Sequence, residues 1–229
     1  MDISNLNKKK ILIIAAHPDD EILGCGGTII KLKEKNKFKV VFLTDGVSAR
    51  GKDKLKSKIR RKEALRLFDY LNIEKPIFFK FPDNQLDKVP IIKIIKKIED
   101  VIKKFKPTVI FTHSENCLNI DHSIISRAVI TATRPVKNFN FINFLFSFEV
   151  PSSTEWRFSR KEIYSPNFFI DITKQIKEKK KCLNFYKSEI RKYPHSRSIK
   201  GIESLAKFRG MSSGVKYAES FYLIRGIHY

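Results

Sequence analysis

The fold of this chain is decided by the stretch Ile11-Leu12-Ile13-Ile14-Ala15-Ala16-His17-Pro18-Asp19-Asp20-Glu21, an apolar run that ends in a histidine and three carboxylates. A short β-branched run that follows three lysines and ends just before a proline is typical of a buried parallel strand. Open α/β sheets bind their ligands at the carboxyl ends of such strands. We therefore predict a functional site directly after this strand, followed by a first helix at residues 27–35.

The rest of the chain continues to alternate apolar runs with helical periodicity. Further strands are predicted at residues 39–46, 76–81, 108–112, 139–150 and 167–172, and further helices at 60–71, 91–105, 124–132, 173–188 and 199–210. Residues 215–221 have a mixed pattern. The first four strands and the helices between them predict a doubly wound α/β sheet. Because no repeat or low-complexity linker interrupts the pattern, we predict a single domain over residues 1–229.

The composition indicates a globular protein with a substantial core, since 42% of its 229 residues are hydrophobic. Its three cysteines are widely spaced and form no CxxC pair, which argues against both a disulfide framework and a thiolate zinc site. No segment has the features of a signal peptide or approaches the roughly 18 apolar residues of a membrane-spanning helix. These features predict a cytoplasmic protein without a membrane span.

The net charge of +22 is the strongest global signal, and alone it would indicate a nucleic-acid or membrane-surface partner. The excess lysine is spread over helices and loops together with abundant Ile, Asn and Phe, which indicates a compositional bias of the whole chain. We therefore predict no specific nucleic-acid partner, although a basic surface would attract an anionic small-molecule substrate. A basic nucleic-acid-binding protein stays the alternative from a different functional class.

Two polar clusters follow the first and fourth predicted strands, and together they contain the ligand types of a catalytic metal site. His17 and Asp20 lie in the first cluster, and His122 lies in the second, which begins at His113. Two imidazoles and one carboxylate leave coordination positions for water and substrate. Asp19 adjoins Asp20 without being one of these ligands, which indicates a general base for the attacking water.

Several short motifs along the chain resemble the signature of one family. The most specific is Ala16-His17-Pro18-Asp19-Asp20-Glu21 followed by Gly24-Cys25-Gly26-Gly27-Thr28. The others are Arg60-Arg61-Lys62-Glu63, Pro82-Asp83-Asn84, Leu118-Asn119-Ile120-Asp121-His122, Arg134-Pro135 and Tyr217-Ala218-Glu219-Ser220-Phe221. Together they resemble the PIG-L/LmbE family of zinc-dependent N-deacetylases over nearly the whole chain.

The resemblance implies a Rossmann-like three-layer αβα sandwich with a mostly parallel sheet. It also implies removal of an acetyl group from an N-acetylglucosamine-type sugar, free or linked to a nucleotide or another anion, with release of acetate and a free amine. His17, Asp20 and His122 would bind Zn²⁺, with Fe²⁺ as the alternative, while Asp19 would be the base and Arg60 would contact substrate. Hydrolysis of another amide or of a sugar–thiol conjugate stays open, as does assembly into a homo-oligomer.

One position departs from the family pattern. Many relatives carry a histidine three residues before the last metal ligand, where it stabilises the oxyanion or protonates the leaving amine, but this chain has Asn119. An amide donates a hydrogen bond but supplies no proton. We therefore predict that Asn119 binds substrate and that His113 is the proton donor, unless Asp19 also serves this role. Asp121 is predicted to support catalysis by orienting a neighbouring side chain.

Loop residues near the predicted site are further candidates for substrate contacts, because loops over the carboxyl ends of strands often carry function. These candidates are Arg50, Asp83, His195 and Arg197. Trp156, the only tryptophan of the chain, is interpreted as a core or interface residue rather than as a sugar-binding platform.

Overall fold

The computed structural model describes residues 6, 8–47, 49, 54–136, 139–159 and 163–227. Within this part of the chain the strands are β1 (Lys10–Ala15), β2 (Lys37–Phe42), β3 (Ile77–Phe78), β4 (Val109–His113), β5 (Phe144–Phe148), β6 (Phe168–Asp171) and β7 (Ala218–Gly226). The α-helices are α1 (Asp20–Leu32), α2 (Lys54–Leu71), α3 (Ile91–Phe105), α4 (Ile120–Ala132), α5 (Ile176–Leu183) and α6 (Ile199–Met211).

The strands form one sheet in the order β3-β2-β1-β4-β5-β7-β6. Strands β1 to β5 are parallel, and β7 pairs antiparallel with both β5 and β6. The order of the strands reverses beside β1, and α/β sheets bind ligands at such a switch point. The predicted mostly parallel sheet is confirmed, and the two polar clusters follow adjacent strands, because β1 pairs with β4.

Helices cover both faces of the sheet, with α1, α2, α5 and α6 on one face and α3 and α4 on the other. Alternate residues of β1 divide between the two layers, so that Ile11 and Ile13 contact the first set of helices while Leu12 and Ile14 contact the second. Burial on both faces explains why the sequence of β1 is apolar without alternation. The predicted three-layer αβα sandwich is confirmed. Among the described helices, none is long and apolar enough to cross a membrane.

Helix α1 begins at Asp20, so the prediction of a helix start near residue 27 was wrong. Gly24, Gly26 and Gly27 lie inside this helix, where they allow close packing. A Cβ atom on Gly27 would lie 2.6 Å from Cγ2 of Ile172, which is closer than real side chains approach. The glycines therefore bring α1 against the chain that follows β6, and the carboxylates of the first polar cluster occupy the start of the helix.

The C-terminal half differs from the prediction in three further elements. The strand predicted at residues 139–150 is restricted to Phe144–Phe148, and the helix predicted at 173–188 is restricted to Ile176–Leu183. The mixed pattern at 215–221 leads into β7, the longest described strand, which pairs on both sides. Antiparallel pairing near the edge of the sheet leaves the second half of β7 partly exposed, which obscured its apolar pattern.

A buried ion pair between β7 and α5 also holds α1 through hydrogen bonds. The carboxylate of Glu219 lies 2.7 Å from Nζ of Lys179 and accepts hydrogen bonds from the backbone N–H groups of Gly27 and Thr28. Both charged side chains are only 4% exposed. Because Nζ of Lys179 also donates to the carbonyl of Leu23, the pair fixes the middle of the helix whose first turn carries Asp20.

We expect Glu219→Gln to lower the free energy of unfolding by about 3–5 kcal/mol, because it leaves the Lys179 ammonium buried without its counter-charge. Denaturant unfolding of the purified variant measures this loss. The matched control is Glu203→Gln, since Glu203 pairs with Lys180 at 3.0 Å in a partly exposed position, and exposed pairs contribute about 0–1 kcal/mol. Equal losses in the two variants would contradict this account.

Candidate active site

Three potential metal ligands converge beyond the carboxyl ends of β1 and β4. Oδ2 of Asp20 lies 3.1 Å from Nδ1 of His17 and 3.4 Å from Nε2 of His122, and the two ring nitrogens are 3.4 Å apart. Two ligand atoms on a tetrahedral zinc ion lie about 3.3 Å apart, given bonds of about 2.0–2.1 Å. The three atoms therefore match one face of a zinc coordination tetrahedron. All three residues are buried, and among the described residues Oδ1 of Asp20 has no hydrogen-bond partner.

A second group of possible ligands lies on the opposite side of the His17 ring. Its Nε2 is 3.1 Å from Oδ1 of Asp83 and 3.4 Å from Oδ2 of Asp121. These carboxylates already accept backbone hydrogen bonds, Asp83 from Ala49 and Asp121 from Asn84 and Leu86. The carboxylates thus hold the surrounding loops and face the second nitrogen of a ligand histidine, which is the usual way that such a ring is oriented.

Asp19 immediately precedes α1 in an unusual backbone conformation, with φ 130° and ψ −28°. Non-glycine residues with positive φ are uncommon and are concentrated at functional sites. Its carboxylate is 2% exposed and lies 3.4 Å from Nη1 of Arg60 and 3.2 Å from Nη1 of Arg197. Both arginines also pair with Glu189, and Arg60 donates to the carbonyl of Pro18 at 2.7 Å. The two guanidinium groups therefore fix the Asp19 carboxylate beside the metal-ligand group.

Neighbouring charges separate the acid–base behaviour of the two adjacent aspartates, because both are buried but only Asp20 is surrounded by imidazoles. Burial raises the pKa of Asp19 to about 6, although the charges of Arg60 and Arg197 act to lower it. Burial would also raise the pKa of Asp20, but the neighbouring imidazoles outweigh it and hold that pKa well below the usual range. The lowered pKa keeps Asp20 ionised, as a metal ligand must be, and the raised pKa of Asp19 increases its affinity for a proton, as suits a base.

The position of His113 argues against its predicted role as a proton donor. It is fully buried at the end of β4 and stacks on His122, with ring centroids 3.8 Å apart. Its Nε2 accepts a hydrogen bond from the backbone N–H of Ala16 at 2.8 Å, so this nitrogen has no proton to give. Burial and the neighbouring imidazole of His122 lower the pKa of His113 well below its usual value. This placement favours a supporting role next to the metal ligands over the predicted role as proton donor.

Asn119 and Asp121 hold the start of α4. Oδ1 of Asn119 accepts a hydrogen bond from the backbone N–H of Asp121 as the helix N-cap, and Nδ2 donates to Oδ1 of Asn84. Asp121 is fully buried, and its Oδ2 lies 3.4 Å from Nε2 of His17. The structure thus ties both residues to the segment 83–86 and gives Asn119 a capping function that the sequence analysis did not consider.

The remaining candidates divide between the site and its surroundings. Arg197 contacts Asp19 directly, and His195 accepts a hydrogen bond at Nδ1 from the backbone N–H of Arg197. Arg50 lies outside the described residues. Sequence reasoning missed Glu189, because a single glutamate in a polar segment has no pattern that would link it to Arg60 and Arg197.

Cys117 is a second residue that sequence reasoning missed. Its Sγ lies 3.1 Å from Nδ1 of His122, and the thiol is 1% exposed. Because Nε2 of His122 faces Asp20, we assign the ring hydrogen to Nδ1, which donates it to the sulfur. The thiol therefore occupies the place where a carboxylate or a carbonyl more often orients a ligand histidine.

We expect Cys117→Ala to weaken zinc binding about 10–100-fold, because His122 loses the partner that fixes its tautomer and orientation. Cys117→Ser restores an acceptor and should recover part of the affinity. Competition with a chromogenic chelator measures the affinity without any need for turnover. Cys182→Ala is the control, since Cys182 is also fully buried but belongs to α5. Unchanged affinity in Cys117→Ala would exclude an orienting role.

The sheet, its switch-point loop and the convergent His and Asp ligands define an enzyme of the α/β class with a candidate metal centre. The family model for PIG-L, described as GlcNAc-PI de-N-acetylase, matches residues 12–133, which is more than half of the chain. The protein therefore belongs to the PIG-L family and is a hydrolase of N-acetyl amides, as the resemblance implied.

The chain is also similar to individual proteins. The diacetylchitobiose deacetylase of Thermococcus kodakarensis is 26% identical over 230 residues, which cover 96% of this chain and 84% of the relative. The structure of N,N'-diacetylchitobiose deacetylase from Pyrococcus horikoshii has a TM-score of 0.78 at 23% identity and covers 99% of this chain and 88% of that one. GalB, the 4-carboxy-2-hydroxymuconate hydratase of Pseudomonas putida KT2440, has a TM-score of 0.71 at 20% identity, with 96% and 98% covered. The two structural similarities concern the fold alone.

Proposed function

We propose that this protein is a zinc-dependent deacetylase that hydrolyses the acetamide of an N-acetylglucosamine-type sugar within a small conjugate. The observation that carries this proposal is the triangle formed by His17, Asp20 and His122, with ligand-atom separations of 3.1–3.4 Å, beside the buried carboxylate of Asp19. Family membership and the relatives named as diacetylchitobiose deacetylases support the substrate class.

His17, Asp20 and His122 would hold the zinc ion. When bound, zinc would supply Lewis-acid chemistry by lowering the pKa of a water ligand and polarising the acetamide carbonyl. The mixed nitrogen and oxygen ligand set suits zinc, although Fe²⁺ accepts the same ligand types. Oδ1 of Asp20, which has no hydrogen-bond partner in the described part of the chain, provides a further oxygen for the ion.

Asp19 carries out the proton transfers in this proposal. Its carboxylate accepts a proton from the attacking water as the new C–O bond forms. The same proton passes to the amine nitrogen as the C–N bond breaks, which releases acetate and the free amino sugar. This double role follows from the surroundings, because Asn119 has no proton to supply and Nε2 of His113 accepts a hydrogen bond from Ala16.

The neighbouring polar groups keep the reacting atoms in place. Arg60 and Arg197 orient the Asp19 carboxylate from two sides, which limits its conformational freedom. Nδ2 of Asn119 carries two hydrogens, so its bond to Asn84 leaves one to stabilise an oxyanion. Asp83 and Asp121 orient the His17 ring through its Nε2.

Acetate release from a panel of sugars, with metal content measured on the same sample, tests the proposed function. The panel contains N-acetylglucosamine, N,N'-diacetylchitobiose, a nucleotide-linked N-acetylhexosamine and the corresponding sugars without an N-acetyl group. We expect acetate only from N-acetylated sugars and only with metal bound. A zinc-loaded protein that releases acetate from none of them would overturn the proposal.

The hydratase GalB shows that a similar fold is compatible with a different reaction. The panel therefore also tests whether the protein hydrolyses an acetamide at all. Release of another amine from a broader set of amides and sugar–thiol conjugates would favour the alternative hydrolase. The high positive charge also makes nucleic-acid binding an alternative, which is tested by titration with nucleic acid at increasing salt. A steep loss of affinity with salt, together with no hydrolysis, would favour the nucleic-acid-binding alternative.

A further inference from the structure

Trp156 lies in the loop that follows β5, and it is not a core residue. Its side chain is 38% exposed and meets the ring of His195 edge-on, with ring centroids 5.3 Å apart and an interplanar angle of 71°. Such a T-shaped contact fixes the orientation of an aromatic ring while it leaves part of the ring surface uncovered. An exposed, oriented indole is therefore available to a ligand, which corrects the interpretation of Trp156 as a core residue.

The loop that carries Trp156 is attached to the side of the site that holds the candidate base. The carbonyl of Pro151 accepts a hydrogen bond from Nε of Arg197 at 3.2 Å. Nη1 of the same arginine lies 3.2 Å from the carboxylate of Asp19. His195, which contacts the Trp156 ring, accepts a hydrogen bond from the backbone N–H of Arg197 and is therefore also linked to Asp19 through this arginine.

The same loop is attached to the side of the site that holds the third metal ligand. The carbonyl of Ser153 accepts a hydrogen bond from the backbone N–H of Leu118 at 3.1 Å, and Nη1 of Arg157 donates to the carbonyl of Cys117 at 3.0 Å. Cys117 in turn contacts His122. The loop of Trp156 is thus joined both to Arg197, which pairs with Asp19, and to Cys117, which contacts His122.

The chemistry around the indole suits a sugar ring rather than a purely apolar group. A pyranose has an apolar C–H face, which packs on an aromatic ring, and a rim of hydroxyl groups that require polar partners. Glu155 and Arg157 adjoin Trp156 along the loop, and His195 contacts its ring, so all three neighbours are polar. Leu118, which is 59% exposed, adds apolar surface between Cys117 and the N-cap Asn119.

We propose that Trp156, held edge-on by His195, is the platform for a second sugar ring linked to the N-acetylated residue that reacts. This inference rests on the proposed deacetylase function and names its preferred substrate class as a disaccharide or longer glycan. Trp156 acts on the non-reacting ring and leaves the chemical step to Asp19 and the metal ligands.

Fluorescence gives a direct test, because Trp156 is the only tryptophan of the chain. The zinc-loaded Asp19→Asn protein is titrated with N,N'-diacetylchitobiose, so that binding is observed without turnover. We expect a saturable change in tryptophan emission with the disaccharide, and at least a tenfold weaker response to N-acetylglucosamine. Identical titrations for the two sugars, or no saturable change with the disaccharide, would overturn the inference.

Kinetics of the variants provide the second readout. Trp156→Ala should raise KM for N,N'-diacetylchitobiose about tenfold with little change in kcat, since a tenfold change corresponds to about 1.4 kcal/mol and an aromatic contact is of this order. Trp156→Phe should retain part of the affinity. The kcat/KM for N-acetylglucosamine should stay within about twofold in both variants, which also shows that they fold.

Phe208→Ala is the matched control, because Phe208 is an exposed aromatic residue on α6. It should change neither sugar's kinetics. If Trp156→Ala lowers activity equally on both sugars, the residue has a general structural role and the platform is excluded. If the wild-type protein hydrolyses neither sugar, the proposed function fails, whereas the fluorescence titration still decides whether Trp156 binds the disaccharide.

Discussion

Asp19→Asn is expected to lower kcat for acetate release by about 10²–10⁴-fold while the protein retains its metal. Asparagine preserves the shape of the side chain and tolerates positive φ better than most residues, so the strained loop should keep its conformation. It cannot accept a proton from water, and this is the step that we assign to Asp19. Steady-state acetate release and elemental analysis of the same preparation measure the two quantities together.

The control for this variant is Asp69→Asn on α2, an exposed aspartate whose carboxylate is 3.7 Å from Lys75. It carries the same chemical change without contact to the site and should retain wild-type turnover. If Asp19→Asn keeps more than about a tenth of the wild-type kcat, Asp19 is not the base. If it loses metal as well as turnover, the residue acts on the ligand group rather than on the proton.

Loss of the metal is expected to have a larger effect, with turnover reduced about 10³-fold or more, because the metal supplies several kcal/mol of transition-state stabilisation. Chelation of the wild-type protein should produce this loss, and added Zn²⁺ should reverse it. Asp20→Asn should produce the same loss permanently, because a neutral amide replaces the carboxylate that lies next to His17 and His122. The measurements are metal content per chain and acetate release before and after zinc is restored.

The control here is Asp87→Asn, which introduces the same change at an exposed position beyond the site. Its metal content and activity should match those of the wild-type protein after the same chelation and reconstitution. Full activity in the chelated wild-type protein would refute a metal-dependent mechanism. Restoration of Asp20→Asn by zinc would show that Asp20 is dispensable as a ligand.

The sequence predicted those parts of the fold that a local residue pattern determines by itself, such as a buried strand. The continuous apolar run of β1 is explained by burial on both faces, and the polar residues directly after it lie at the switch point. Helix α1 was predicted to begin too late, because the sequence shows only that glycine disfavours a helix locally and not which tertiary contact requires it. The close approach of Ile172, which makes Gly27 necessary, is a tertiary contact.

The candidate site likewise contains residues that the sequence predicted and contacts that only the structure shows. His17 and Asp20 are three positions apart, and motif resemblance adds His122, so this group was predicted from the sequence. Arg197 lies 178 positions from Asp19, and no periodicity indicates that the two side chains pair. The contact between Cys117 and His122 was missed for a different reason, since a lone cysteine before a helix has many structural roles and only the observed geometry distinguishes them.

The strained backbone of Asp19 makes glycine an obvious substitution when a more durable enzyme is wanted. A side chain at φ 130° costs about 1–3 kcal/mol, whereas glycine adopts such angles without that cost. Glycine at position 19 would, however, remove the carboxylate that pairs with Arg60 and Arg197, and breaking a buried ion pair costs about 3–5 kcal/mol. Durability and activity therefore both favour aspartate at this position, and gains in heat tolerance should be sought in the surface helices.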